Sequence, residues 1–177
     1  MAVPVRRAAA VIAMAAVGIV GCGSEGTDSS QVAARARAEA SGPAAALGMT
    51  VWFTGFEHGE LGVYLRPATA WSGSRYMDTL PATANLALKL ARRHPSWGDV
   101  EVCEDATWLR HDKQHPFVPA TRVTIKSADA KRLPAAFRNG GDVLRAVADR
   151  TIELLVLPRV SNSASYRRAS AETVRTQ

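Results

Sequence analysis

Cysteine is scarce in this chain: Cys22 and Cys103 are the only two. That excludes the small secreted scaffolds held by several disulfides, so a core must hold the fold by itself. Aromatics make up 6% of the residues, and no tight block of basic residues occurs, although Lys+Arg outnumber Asp+Glu by 22 to 16. A nucleic-acid binder needs a basic patch with stacking aromatics, so that class is set aside. There is no Gly-x-Ser-x-Gly elbow; Ser72 and Ser74 stand in a Gly-Ser loop with no positioned base in view. No glycine-rich phosphate loop occurs either, because Asn139-Gly140-Gly141-Asp142 is explained by a helix stop followed by a helix cap. No internal repeat is evident.

What is present begins at the N-terminus. Met1 to Arg7 carries two arginines and no acid, and Ala8 to Val20 carries no charge. That apolar run has the length of a signal-peptide core and falls short of the ~20 residues that span ~30 Å of hydrocarbon. Small residues crowd its end, and Cys22 follows. Ile19-Val20-Gly21-Cys22 resembles the lipobox of bacterial lipoproteins, in which an aliphatic residue and two small or aliphatic ones precede a cysteine. The resemblance covers only about the first 24 residues. It implies a signal peptide at 1–21, a diacylglycerol thioether on Cys22 with fatty acyl chains such as palmitate, and cleavage just before that cysteine. The expected address is the extracytoplasmic side of a bacterial cell membrane. Lipid chains contribute ~0.8 kcal/mol per buried methylene, so two or three of them anchor a protein stably. Cys103 is then a thiol with no internal partner.

Removing residues 1–21 takes away Arg6 and Arg7 and no acid, so the mature balance is 20 basic against 16 acidic residues. The remaining 156 residues suffice for one domain with a core and tails. Residues 22–47 are rich in Gly, Ser and Ala with scattered charges and are expected to form a lipidated flexible tether. Within it, the Ala-Arg segment 31–40 has transient helical character at most. Residues 159–177 have few large apolar side chains and are expected to be a disordered tail. The folded domain is placed at 48–158.

Met49 to Phe56 is β-branched and aromatic, and Leu61, Val63 and Leu65 alternate with small or polar residues. The Gly-containing loop between them makes a hairpin. Asp78 or Thr79 can cap a helix with Pro81 in its first turn. Its polar stripe is Asn85, Lys89, Arg92 and Arg93, and His94-Pro95 ends it. Val100-Glu101-Val102-Cys103 and Thr121 to Lys126 alternate again. Ser127 to Lys131 suggests a helix start, interrupted at Pro134. Asp142 caps a further helix, and residues 151–157 fit helix or strand equally. The expected fold is α+β: an antiparallel sheet of about four strands, in the order β-β-α-β-β-α, with two or three helices on one face.

Chemistry concentrates in the long connection 104–120. His111 and His115 are four apart, which on a helical turn points both rings the same way, and Cys103 or Asp112 supplies a third ligand. Two imidazoles and a thiolate suit copper or zinc. Without a flanking catalytic Glu this spacing is a weak signal, and a solvated loop explains it better. Cys103 should share the wetter strand face with Glu101, or be buried beneath the long loop as free cysteines often are. Trp71 and Trp108 stand in loops and are candidates to rim a binding surface. No catalytic constellation emerges, and no cofactor is implied. The sequence favours a lipid-anchored, non-enzymatic module that binds an envelope protein or a small ligand, with membrane contact through Cys22. A copper or zinc lipoprotein using Cys103, His111 and His115 is the alternative, and a hydrolase with no recognisable motif comes third.

Overall fold

The structure, a computed structural model, describes residues 28–106 and 119–175. Ten elements follow in order: α1 (Ser29–Ala46), β1 (Met49–Glu57), β2 (Glu60–Pro67), α2 (Gly73–Arg93), β3 (Asp99–Asp105), β4 (Pro119–Lys126), α3 (Gly140–Ala148), β5 (Glu153–Val156), α4 (Pro158–Ser161) and α5 (Ala164–Arg175). The expected α+β class holds. The sheet differs from expectation: it has five strands in the order β1-β2-β3-β4-β5, and it is mixed. β2 and β3 run parallel, while the other neighbours are antiparallel. The reason is α2, which lies between β2 and β3 in the chain. A helical crossover returns the chain to the same end of the sheet, so the next strand runs parallel.

The β1–β2 turn has His58 at φ 52° and Gly59 at φ 84°. Two successive left-handed residues form the tight turn whose twist matches a hairpin. α2 begins earlier than the sequence suggests. Ser72, not Asp78 or Thr79, caps it by accepting the Arg75 N–H at 3.2 Å. Pro81 is therefore an interior residue of α2. The extra turns bury Tyr76, Met77 and Thr79. The ambiguity at 151–157 resolves to strand. α3 stops at Ala148, Arg150 adopts φ 57°, and the Thr151 N–H and hydroxyl both donate to the Ala146 carbonyl. The expected helix start at 127–131 is a series of turns instead.

Both flanking segments are helical. Residues 29–46, expected as tether, form α1, with Val32, Ala36, Ala40 and Ala44 buried. These sit at strict four-residue spacing, so they line one edge of the helix. Asp28 caps its N-terminus by accepting the Ser30 N–H at 2.9 Å. The Arg37 guanidinium donates to the Val51 carbonyl at 2.9 Å. Glu39 reaches Arg93 at 3.1 Å and His94 at 3.3 Å. Burial raises the Glu39 pKa, but hydrogen bonds from Arg93, His94 and Arg35 outweigh it and hold the carboxyl below its usual range. Ala40→Leu is expected to cost about 1–3 kcal/mol by overpacking the α1 seam; chemical denaturation checks it, and a free tether would show no change.

Residues 159–177, expected as a tail, hold most of α4 and all of α5. Val160, Ala169 and Thr173 are buried. The Thr173 hydroxyl donates to the Ala169 carbonyl at 3.0 Å and lies 3.3 Å from the Gly141 carbonyl of α3. Gly73, the first residue of α2, lies so close to α4 that a Cβ there would meet the Arg159 carbonyl oxygen at 2.5 Å. The start of α2 thus requires glycine. The core lies between the sheet and α2, with Leu61, Val63, Leu65, Leu80, Leu88, Leu90, Val100, Val102 and Ile125 all buried.

Candidate functional site

Strand alternation divides β3 between two environments. Val100, Val102 and Glu104 point toward α2. Glu101 and Cys103 point to the opposite, outward face of the sheet. Register carries the same division across the neighbours: Glu104 lies opposite Thr121 and Leu65, and Cys103 lies opposite Arg122 and Tyr64.

On the inward side, the Glu104 carboxyl is fully buried. Thr79 at 2.9 Å and Thr83 at 2.8 Å, both on α2, donate to Oε1, and Thr121 on β4 donates to Oε2. Burial raises the Glu104 pKa, and the three hydroxyls offset only part of that rise. The Tyr76 hydroxyl donates to the Asp105 carbonyl at 2.9 Å one residue along. This cluster binds α2 to β3 and β4.

The outward side carries mixed aromatic and charged groups. Cys103 Sγ donates to Glu101 Oε1 at 3.1 Å, and the Tyr64 hydroxyl donates to the same oxygen at 3.3 Å. Arg122 Nε lies 3.3 Å from the other carboxylate oxygen. Arg66 Nε donates to Asp105 Oδ2 at 2.6 Å, and its guanidinium stands 4.0 Å over the Trp52 ring. The Phe53 and Tyr64 rings are tilted neighbours at 5.6 Å. Tyr64 folds over Gly62, where a Cβ would meet its ring at 2.8 Å.

A bulge in β1 builds one edge of this face. The register with β2 shifts between Val51 and Phe53. A bulge sets two residues against one, so Trp52 and Phe53 are presented together. Trp52, Phe53 and Leu155 are 38%, 37% and 40% exposed, and they are the exposed large hydrophobics among the described residues. Leu155 pairs with Arg122, which puts it on the same face at the far edge of the sheet.

The sequence-stated candidates separate. Cys103 does share a face with Glu101, yet it is fully buried. Burial first, and then the Glu101 charge, push its thiol pKa well up. A thiol held neutral is neither a ready nucleophile nor a ready metal ligand. Trp71 is half-buried and packs on Tyr76 at 5.4 Å, with Arg75 at 5.2 Å over its ring. It covers the core and is not part of the outward cluster. Cys22, Trp108, His111, Asp112 and His115 lie outside the described residues. Among the described residues no group of three or more His, Cys, Asp or Glu could hold a metal, and no helix is long and apolar enough to cross a membrane. A small cleft of about 90 Å³ lies where the end of β4 and the turn after it meet the connection into β5, lined in part by Lys126, Asp129, Arg150 and Glu153. Sites for organic ligands run to ~300–1,000 Å³, so this cleft suits a few waters.

Sequence reasoning missed Trp52, Phe53 and Leu155. The available signal was the break in alternation after Met49 and Val51, where two aromatics follow in succession. No protein-family model matches the chain, and no curated protein and no solved structure matches it either.

Proposed function

We propose that this protein is a lipid-anchored, non-enzymatic binding module of the bacterial envelope. Its outward sheet face meets another envelope protein or a small ligand. The observation behind this reading is the grouping of Trp52 and Phe53 beside Arg66 and Tyr64, with Leu155 across the sheet. Trp, Tyr and Arg are the residue types that concentrate binding energy at interfaces. Arg66 and Arg122 each have an acidic neighbour, Asp105 and Glu101. Such a face suits an uncharged or mixed surface better than a polyanion.

A photocrosslinker placed at Phe53 in the membrane-bound protein tests this reading. A discrete adduct is expected there and not with the crosslinker at Ser163. Trp52→Ala is expected to reduce the adduct at least tenfold, the scale of one interface hot spot. Equal labelling at both positions counts against the outward face.

The anchor has its own test. Cys22→Ala is expected to move the protein from the membrane fraction to the soluble fraction. Unchanged partitioning would mean that no lipid on Cys22 holds the protein to the membrane. The metal alternative is not favoured, because the buried Cys103 thiol is already bonded to Glu101.

A further inference from the structure

The chain between the proposed lipid and the folded domain is short. α1 belongs to the domain, through its buried edge and its bonds from Arg37 and Glu39. Cys22 and Asp28 are six residues apart in the sequence, and six residues reach at most ~20 Å in any conformation. A domain of this size has a radius of gyration of ~14 Å, which for a compact sphere is a width of ~36 Å. The leash is therefore shorter than the domain is wide, and the domain stays beside the bilayer.

The leash brings the acids Glu25 and Asp28 to the bilayer first, and the exposed cations lie farther along α1. The α1 ridge opposite its buried edge consists of Ala34, Ala38, Ser41 and Ala45, all exposed. Arg35 flanks that ridge on one side; Arg37, on the other, has its guanidinium turned to the Val51 carbonyl. Arg93, from the last turn of α2, shares Glu39 with Arg35. The Arg35 and Arg93 side chains are 69% and 54% exposed, around a single carboxylate. Small side chains let a flat surface approach closely, and arginines at the margins reach phosphate oxygens as paired donors.

We infer that the α1 ridge, with Arg35 and Arg93, lies against the anionic headgroups of the bilayer that holds the Cys22 lipids. This rests on the lipid-anchor reading above. The docking also orients the molecule. α1 packs with α2 on the inward side of the sheet, so Trp52, Phe53 and Leu155 turn away from the membrane toward the extracytoplasmic space.

The test uses the processed full-length protein in vesicles. Its mass first reports the diacylglycerol on Cys22. With Cys22 acylated and Cys103 buried, a fluorophore goes onto Ala38→Cys or Leu155→Cys, and a headgroup-level spin-labelled lipid quenches it. In vesicles containing phosphatidylglycerol, quenching at Ala38→Cys is expected to exceed that at Leu155→Cys several-fold. Each arginine near an anionic surface contributes about a fivefold factor in partitioning. The contrast should therefore fall in pure phosphatidylcholine and in an Arg35→Glu/Arg93→Glu variant. The lipid comparison needs no mutation of the charge cluster. Equal quenching at both positions, or a contrast that ignores lipid charge, overturns the docking while the anchor stands. A mass without lipid on Cys22 overturns the anchor and this inference with it.

Discussion

At about pH 4.5, where the Glu104 contribution is fully present, Glu104→Ala is expected to lower the unfolding free energy by about 3–5 kcal/mol, the range for a buried side chain whose loss leaves a cavity and unpaired polar groups. The carboxyl is fully buried between α2 and the sheet and accepts hydrogen bonds from three threonines. The hydroxyls respond differently to its removal. Thr79 can turn to the Arg75 or Tyr76 carbonyl, each 3.1 Å away. Thr83 and Thr121 lose a buried acceptor. Urea denaturation followed by tryptophan fluorescence measures the change, and a loss below ~1 kcal/mol would show that the cluster is not structurally important.

The same carboxyl gives stability a pH dependence, and its sign follows from the direction of the pKa shift. The folded-state value is raised above the ordinary 4.5. Below 4.5 both folded and unfolded chains keep the proton, and the contribution is fully present. Above it the unfolded chain ionises first, so the contribution falls as pH rises toward the folded-state value, by about 1.4 kcal/mol per unit. Glu104→Gln keeps the shape and abolishes the titration. The variant is expected to match the wild type near pH 4.5 and to exceed it in Tm at neutral pH. A wild type no less stable at pH 7 than at pH 5, relative to Glu104→Gln, would mean that the three hydroxyls solvate the charge fully.

The contrast between what the sequence disclosed and what it concealed follows side-chain size. Leu61, Val63 and Leu65 alternate, and so do Val100 and Val102, so β2 and β3 were legible. Leu86, Leu88 and Leu90 marked α2 as a helix with a wide buried face. α1 and α5 were not legible, because their buried positions are Val32, Ala36, Ala40 and Ala44 in one and Ala169 and Thr173 in the other. Small residues contribute little to an apolar pattern, yet they allow the close approach that tight packing needs. Trp52 and Phe53 were concealed for another reason. A bulge breaks the period of two, and only the partner strand fixes where it falls.

Arg92 carries the second large effect. The sequence places it on a polar stripe of α2 with Asn85, Lys89 and Arg93, which would ordinarily face solvent. In the fold, its guanidinium donates to four backbone carbonyls: Ala130 at 3.1 Å, Ala135 at 3.0 Å, and Leu133 and Pro134 at 2.9 Å each. Asn85 completes the seam, donating to the Phe137 carbonyl at 2.9 Å and accepting the Phe137 N–H at 2.8 Å. The segment between β4 and α3 has no regular ladder to satisfy its backbone, and these two side chains supply what a ladder would. Leu133 and Phe137 are buried in the core. Arg92→Lys keeps the charge, but a single ammonium cannot match the planar fork. It is expected to cost about 2–3 kcal/mol, the scale of one or two charge-assisted hydrogen bonds, discounted because the site is partly exposed to water. Amide exchange separates the causes. If Arg92 pins the segment, protection at 129–137 falls before that of β3 and β4. A uniform loss across the sheet would instead make Arg92 a general contributor to α2.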